Sequence, residues 1–140
     1  MSGGLQPGMD APTFKAKAVV NNELGEIDLA NYKYRAVSYD CENGISIITI
    51  FSPSIIRGRY VVLLFYPEDF SWVCPTEILA FSERAGEIRK TTGAEVIGVS
   101  CDSANTHLAY VKTDQANGGL GPVNISLVSD KSLAISRYLL

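Results

Sequence analysis

Residues Arg59–Glu77 read Arg-Tyr-Val-Val-Leu-Leu-Phe-Tyr-Pro-Glu-Asp-Phe-Ser-Trp-Val-Cys-Pro-Thr-Glu, and this stretch decides the fold. Tyr60–Tyr66 is an unbroken apolar run, rich in β-branched and aromatic residues, and predicts a strand covered on both faces. Pro67 stops it, because a residue without an N–H cannot continue a ladder inside a sheet. Asp69 and Ser71 offer turn and capping oxygens, and Pro75 suits the first position of a helix. Cys74 then falls at a helix start, where unpaired backbone N–H groups and the positive end of the helix dipole favour thiolate over thiol. Ser71, three positions earlier, can bring a hydroxyl beside the sulfur. The competing reading of Cys74 is a small buried apolar residue, and spacing alone leaves both open.

The pattern Pro67-x-x-x-Ser71-x-x-Cys74 resembles the active-site signature of the peroxiredoxins, Pro-x-x-x-Thr/Ser-x-x-Cys. The wider string Phe65-Tyr66-Pro67 … Asp69-Phe70 … Val73-Cys74-Pro75-Thr76-Glu77 is similar to the typical 2-Cys subgroup, the thioredoxin peroxidases. Similarity continues through Ala80-Phe81-Ser82, Gly98-Val99-Ser100, Asp102-Ser103, Thr106-His107-Leu108-Ala109 and Gly118–Pro122, and includes Ala11–Phe14 near the start. The resemblance implies an α/β, thioredoxin-like fold and a thiol-dependent peroxidase reducing hydrogen peroxide and organic hydroperoxides. In that reading Cys74 is the peroxidatic nucleophile, becoming a sulfenic acid as it cleaves the O–O bond. Ser71 orients the peroxide and Pro67 shields the sulfur. Glu77 is a supporting residue around the site, or simply a favourable acid in the first turn of a helix. Ser71 stands where threonine is commoner, which keeps the hydroxyl and loses the methyl that fixes its rotamer. The partners implied are a hydroperoxide, thioredoxin or a similar thiol reductant, and further copies of the chain. No cofactor and no metal is expected.

The remaining sequence sets bounds. One hundred and forty residues predict a single domain over 1–140, and 46% hydrophobic residues suit a globular core. A net charge of −3 gives no basic footprint for nucleic acid. No apolar run is long enough to span a membrane, and the first residues lack the charged and apolar regions of a secretory signal. Cys41, Cys74 and Cys101 have neither disulfide-framework nor metal-site spacing, and an odd count fits a reducing, cytoplasmic setting.

Taken in order, residues 1–10 read as a Gly-rich lead-in, and Phe14–Val20 with Glu26–Leu29 as a hairpin around Asn21–Gly25. Tyr34–Arg57 breaks the resemblance. Joining Lys33 to Gly58 restores the family register, Asn-Tyr-Lys-Gly-Arg-Tyr-Val-Val, so residues 34–57 are expected to be an insertion, such as a translated unspliced segment. The alternative is an additional hairpin packed on the sheet. Within the block, Ile45–Phe51 has strong β-propensity and no charge, an aggregation hazard if exposed.

Ile78, Phe81, Ala85 and Ile88 place an amphipathic helix over Pro75–Lys90, ended by Thr91-Thr92-Gly93. A strand over Ala94–Cys101, a helix Ala104–Asp114 capped by Ser103, a Gly-rich turn 115–124, a strand Ile125–Val128 and a helix Ser129–Tyr138 follow. Glu77 occupies the place of the second cysteine in a Cys-x-x-Cys motif, which disfavours a dithiol shuttle. Cys101 is expected in the core, Cys41 has no assigned role, and His107 is read as structural. The resemblance also implies further strands after Ile135-Ser136-Arg137, with a later arginine and a resolving cysteine. None of these is present in this chain, so the fold is expected to be incomplete at its C-terminal end. The rival functional reading is a catalytically impaired isoform that senses redox state, acts as a holdase or binds partners.

Overall fold

A computed structural model describes residues 13–29, 35–42, 45–51, 60–71 and 74–139; the lead-in 1–10, Asn31–Lys33 and Gly58 fall outside them. Among the described residues, seven strands form one sheet in the order β2-β1-β7-β6-β5-β4-β3. They are β1 (Lys15–Val20), β2 (Glu23–Asp28), β3 (Arg35–Glu42), β4 (Ile45–Phe51), β5 (Tyr60–Phe65), β6 (Glu95–Ser100) and β7 (Ser126–Ser129). Among the described residues, helices α1 (Cys74–Thr92), α2 (Ala104–Lys112) and α3 (Ala134–Leu139) accompany the sheet, with a short 3-10 turn at Gln115–Asn117.

Strands β5, β6 and β7 run parallel, joined through α1 and then α2. Both crossovers step across the sheet in the same direction, so crossovers of one hand deliver both helices to one face. The core confirms it. Leu64, Tyr66, Val96 and Leu127 pack with Ile78 and Ala85 of α1 and with Tyr110 and Val111 of α2. Their neighbours Leu63, Phe65, Val99 and Val128 point the other way and pack with Ile135 and Leu139 of α3. The unbroken apolar run of β5 has this cause: both of its faces are core.

The first hairpin is tighter than the sequence suggests. Asn21 and Asn22 both adopt positive φ, at 52° and 63°, which is what a two-residue turn between twisted strands requires. Val20 therefore pairs directly with Glu23, and Glu23-Leu24-Gly25 belongs to the strand rather than to a loop. Asn22 also clips the turn to Val123, donating to its carbonyl at 3.1 Å and accepting its N–H at 2.8 Å.

The backbone of 35–51 forms a second hairpin, whose strand β4 pairs antiparallel with β5. α1 ends where expected, with Gly93 at φ 70° and its N–H on the Arg89 carbonyl at 3.0 Å. The last helix is shorter than expected. Ser129 still pairs in β7 with Ser100, and Asp130 caps the true helix start by accepting the N–H groups of Ile135 at 3.0 Å and Ser136 at 2.7 Å.

Candidate active site

The peptide between β5 and α1 leaves the carboxyl end of the parallel strand β5, where an open α/β sheet presents ligand-binding loops. Its first residues are held tightly to the adjoining β6–α2 junction. Tyr66 extends the ladder by donating its N–H to Val99 O at 3.0 Å. The Tyr66 hydroxyl donates to Asp69 Oδ1 at 2.7 Å, and Asp69 Oδ2 lies 2.6 Å from His107 Nδ1. His107 Nε2 faces the Val128 carbonyl at 3.1 Å. A carbonyl only accepts, so Nε2 carries the hydrogen directed at Val128.

Tyr66, Asp69 and His107 are all buried, His107 completely. Burial, and after it the neighbouring charge of Asp69, hold the Tyr66 phenol well above its ordinary pKa of 10.0. Removing one member of a buried, hydrogen-bonded pair strands its partner without water, at a cost of about 3–5 kcal/mol.

Three further contacts fix this peptide. The Asp69 N–H donates to Asp102 Oδ2 at 2.5 Å. The Cys101 thiol donates to the Pro67 carbonyl at 3.2 Å. The Phe70 ring lies 4.7 Å from that of Tyr110, centroid to centroid, at 50°. Phe70 itself sits at φ 58°, a left-handed conformation that costs a bulky residue about 1–3 kcal/mol and persists only where its surroundings hold it.

The candidate residues lie along this peptide. Cys74 is the first residue of α1, so its turn presents backbone N–H groups without intrahelical partners; its sulfur lies outside what the structure describes. Ser71 is half-buried, three residues before it. Pro67 is exposed at the start of the peptide. Glu77 lies in the first turn of α1, with Oε2 buried and no hydrogen-bond partner among the described residues. Among those residues no three His, Cys, Asp or Glu side chains group so as to hold a metal ion, and no helix is long and apolar enough to cross a membrane.

Two sequence expectations need correction here, and a third gains detail. Asp69 is no surface turn or capping oxygen: its carboxylate turns inward to Tyr66 and His107. Cys101 is not a core residue, because β6 ends at Ser100 and the next side chain faces solvent beside Pro67. His107 is structural, as expected, but it serves the cysteine-bearing peptide directly. The signal that could have found it is the lone histidine on the apolar face of α2, a position that needs buried partners.

Comparison with known proteins agrees with this architecture. The model of the AhpC/TSA family matches residues 40–139. Over 136 residues the chain is 45% identical to Peroxiredoxin-2 of Mus musculus, covering 97% of this chain and 56% of the mouse protein. It is 44% identical to Peroxiredoxin 2 of Drosophila melanogaster, covering 91% of this chain and 53% of that protein. Among solved structures it is similar to reduced 2-Cys peroxiredoxin of Plasmodium vivax, with a TM-score of 0.72, 35% identity, and coverage of 94% of this chain and 66% of that one. Thioredoxin peroxidase I of Plasmodium yoelii gives a TM-score of 0.71 at 34% identity, covering 94% and 63% of the two chains. The chain thus spans little more than half the length of the curated relatives it matches. The α/β sheet with its helices is the thioredoxin-like fold, and the chain is a member of the AhpC/TSA family, a peroxiredoxin.

Proposed function

We propose that this chain is a thiol-dependent peroxidase acting through Cys74. The observation that carries the reading is the position of Cys74 as first residue of α1, at the end of a peptide anchored to β6 and α2. Kinship to peroxiredoxins supports it. The Cys74 thiolate attacks one oxygen of a hydroperoxide. The O–O bond breaks, sulfur gains that oxygen as a sulfenic acid, and the other oxygen leaves as water or an alcohol after taking a proton. Ser71 orients the peroxide, Pro67 shields the sulfur, and Glu77 supports the site. Recovery takes two thiols. The first condenses with the sulfenic acid to a mixed disulfide and releases water; the second displaces Cys74. Thioredoxin or a similar reductant supplies them, in a cytoplasmic setting, and the chain associates with further copies of itself.

The test is purified chain with peroxide, thioredoxin and its reductase, followed by NADPH consumption. Steady consumption that Cys74→Ser abolishes is expected. One sulfenic acid equivalent without turnover would overturn the proposal.

We further propose that residues 34–57 are an insertion relative to the family register, with the 35–51 backbone adding two strands beyond β5. Deleting 34–57 is expected to leave soluble yield unchanged; a large loss would assign the block a structural role instead.

A further inference from the structure

We propose that Asp102 is a positioning residue for the Cys74 peptide, holding the strained turn at Phe70 by accepting the N–H of Asp69. This rests on the peroxidase reading only for its kinetic part. Asp102 is itself a rigid post. Its own N–H donates to Ser100 Oγ at 3.1 Å, and its carbonyl accepts the Ser129 hydroxyl at 2.7 Å, which ties it to the ends of β6 and β7. The carboxylate does not cap α2, because Ser103 Oγ does that by accepting the Thr106 N–H at 3.2 Å. It reaches across to the neighbouring peptide, and the amide it holds immediately precedes Phe70, whose φ of 58° a phenylalanine does not keep unaided. The Phe70–Tyr110 ring contact restrains the far side of the same residue. Loss of the Asp102 acceptor lets the turn relax, and Ser71 and Cys74, which follow Phe70 along the same peptide, then lose their fixed relation.

The competing explanation of Asp102 is an acid placed near the positive end of α2. Asp102→Asn separates the two, since it removes the charge and keeps an acceptor. The experiment follows amide hydrogen exchange of the peptide covering residues 67–74, and the rate of sulfenic acid formation at Cys74 with hydrogen peroxide. Asp102→Ala is expected to speed exchange there by at least about tenfold, with α2 unchanged, and to slow sulfenic acid formation by about tenfold or more. Asp102→Asn is expected to stay near wild type in both. Asp102→Ser, too short to reach Asp69, stands in should the alanine variant fail to fold. Unchanged exchange in Asp102→Ala, or an asparagine variant as impaired as alanine, overturns the proposal. Faster exchange with an unchanged peroxide rate overturns the positioning role. A wild-type chain that does not react with peroxide instead overturns the peroxidase reading, and the exchange measurement still decides the Asp102 clamp.

Discussion

Two peptides leave the carboxyl ends of neighbouring parallel strands, β5 and β6, and they are built on opposite principles. The β6 exit is three residues long and satisfies itself: Ser103 caps α2, and Ser100 Oγ accepts the Asp102 N–H. The β5 exit runs eight residues to α1 and borrows its order from the other. Asp69 depends on Asp102 and His107, the Pro67 carbonyl on Cys101, and Phe70 on Tyr110. A self-sufficient turn serves as the template on which a strained one is set. A reactive residue gains from this, because a peptide that would relax by itself is held in one shape by a scaffold that does not move.

The contrast is broken most severely at His107. His107→Ala should destabilise the fold by about 3–5 kcal/mol in urea unfolding, since Asp69 is left buried without its partner. Tyr66→Phe comes next, at about 2 kcal/mol for a lost hydrogen bond to a charged acceptor. It also has a pH signature. The folded pKa of Tyr66 is raised, so its contribution is complete below 10.0 and is lost as pH climbs past 10.0 toward the raised value. Wild-type stability should therefore fall above that pH, with a flatter fall in Tyr66→Phe, as read from urea midpoints. Ser103→Ala sharpens the comparison from the other side. It should cost about 1 kcal/mol, the ordinary worth of a helix cap, because that hydroxyl meets only the N–H and hydroxyl of Thr106 in the first turn of α2. Cys101→Ser should change stability by less than about 0.5 kcal/mol, since a hydroxyl can donate to the Pro67 carbonyl in place of the thiol at an exposed position.

What could be read from the sequence follows the same division. The run Tyr60–Tyr66, the 3-4-3 spacing of Ile78, Phe81, Ala85 and Ile88, and Ser103 ahead of α2 are local patterns, and each predicts its element to within a few residues. The Asp69–His107 pair joins positions 38 apart through a fold that no local window contains. Cys101 was misread because strand alternation gives no warning of where a strand stops. The hairpin of 35–51 did carry a signal, since Asn43-Gly44 is the sequence between its strands and is a strong hairpin dipeptide. Asn21-Asn22 is a weaker form of the same signal, and it set the first hairpin tighter than its composition suggested.

The partner of β1 has a further consequence. That strand pairs across Ala18–Val128 with β7, the strand furthest from it in sequence among the described residues. The Asn22 clip to Val123 likewise waits through a separation of 101 positions. The β1–β2 hairpin therefore finds its place in the sheet only after β7 has been made. Closure of the sheet on that side is a late, long-range event, which should make the chain a slow folder for its size.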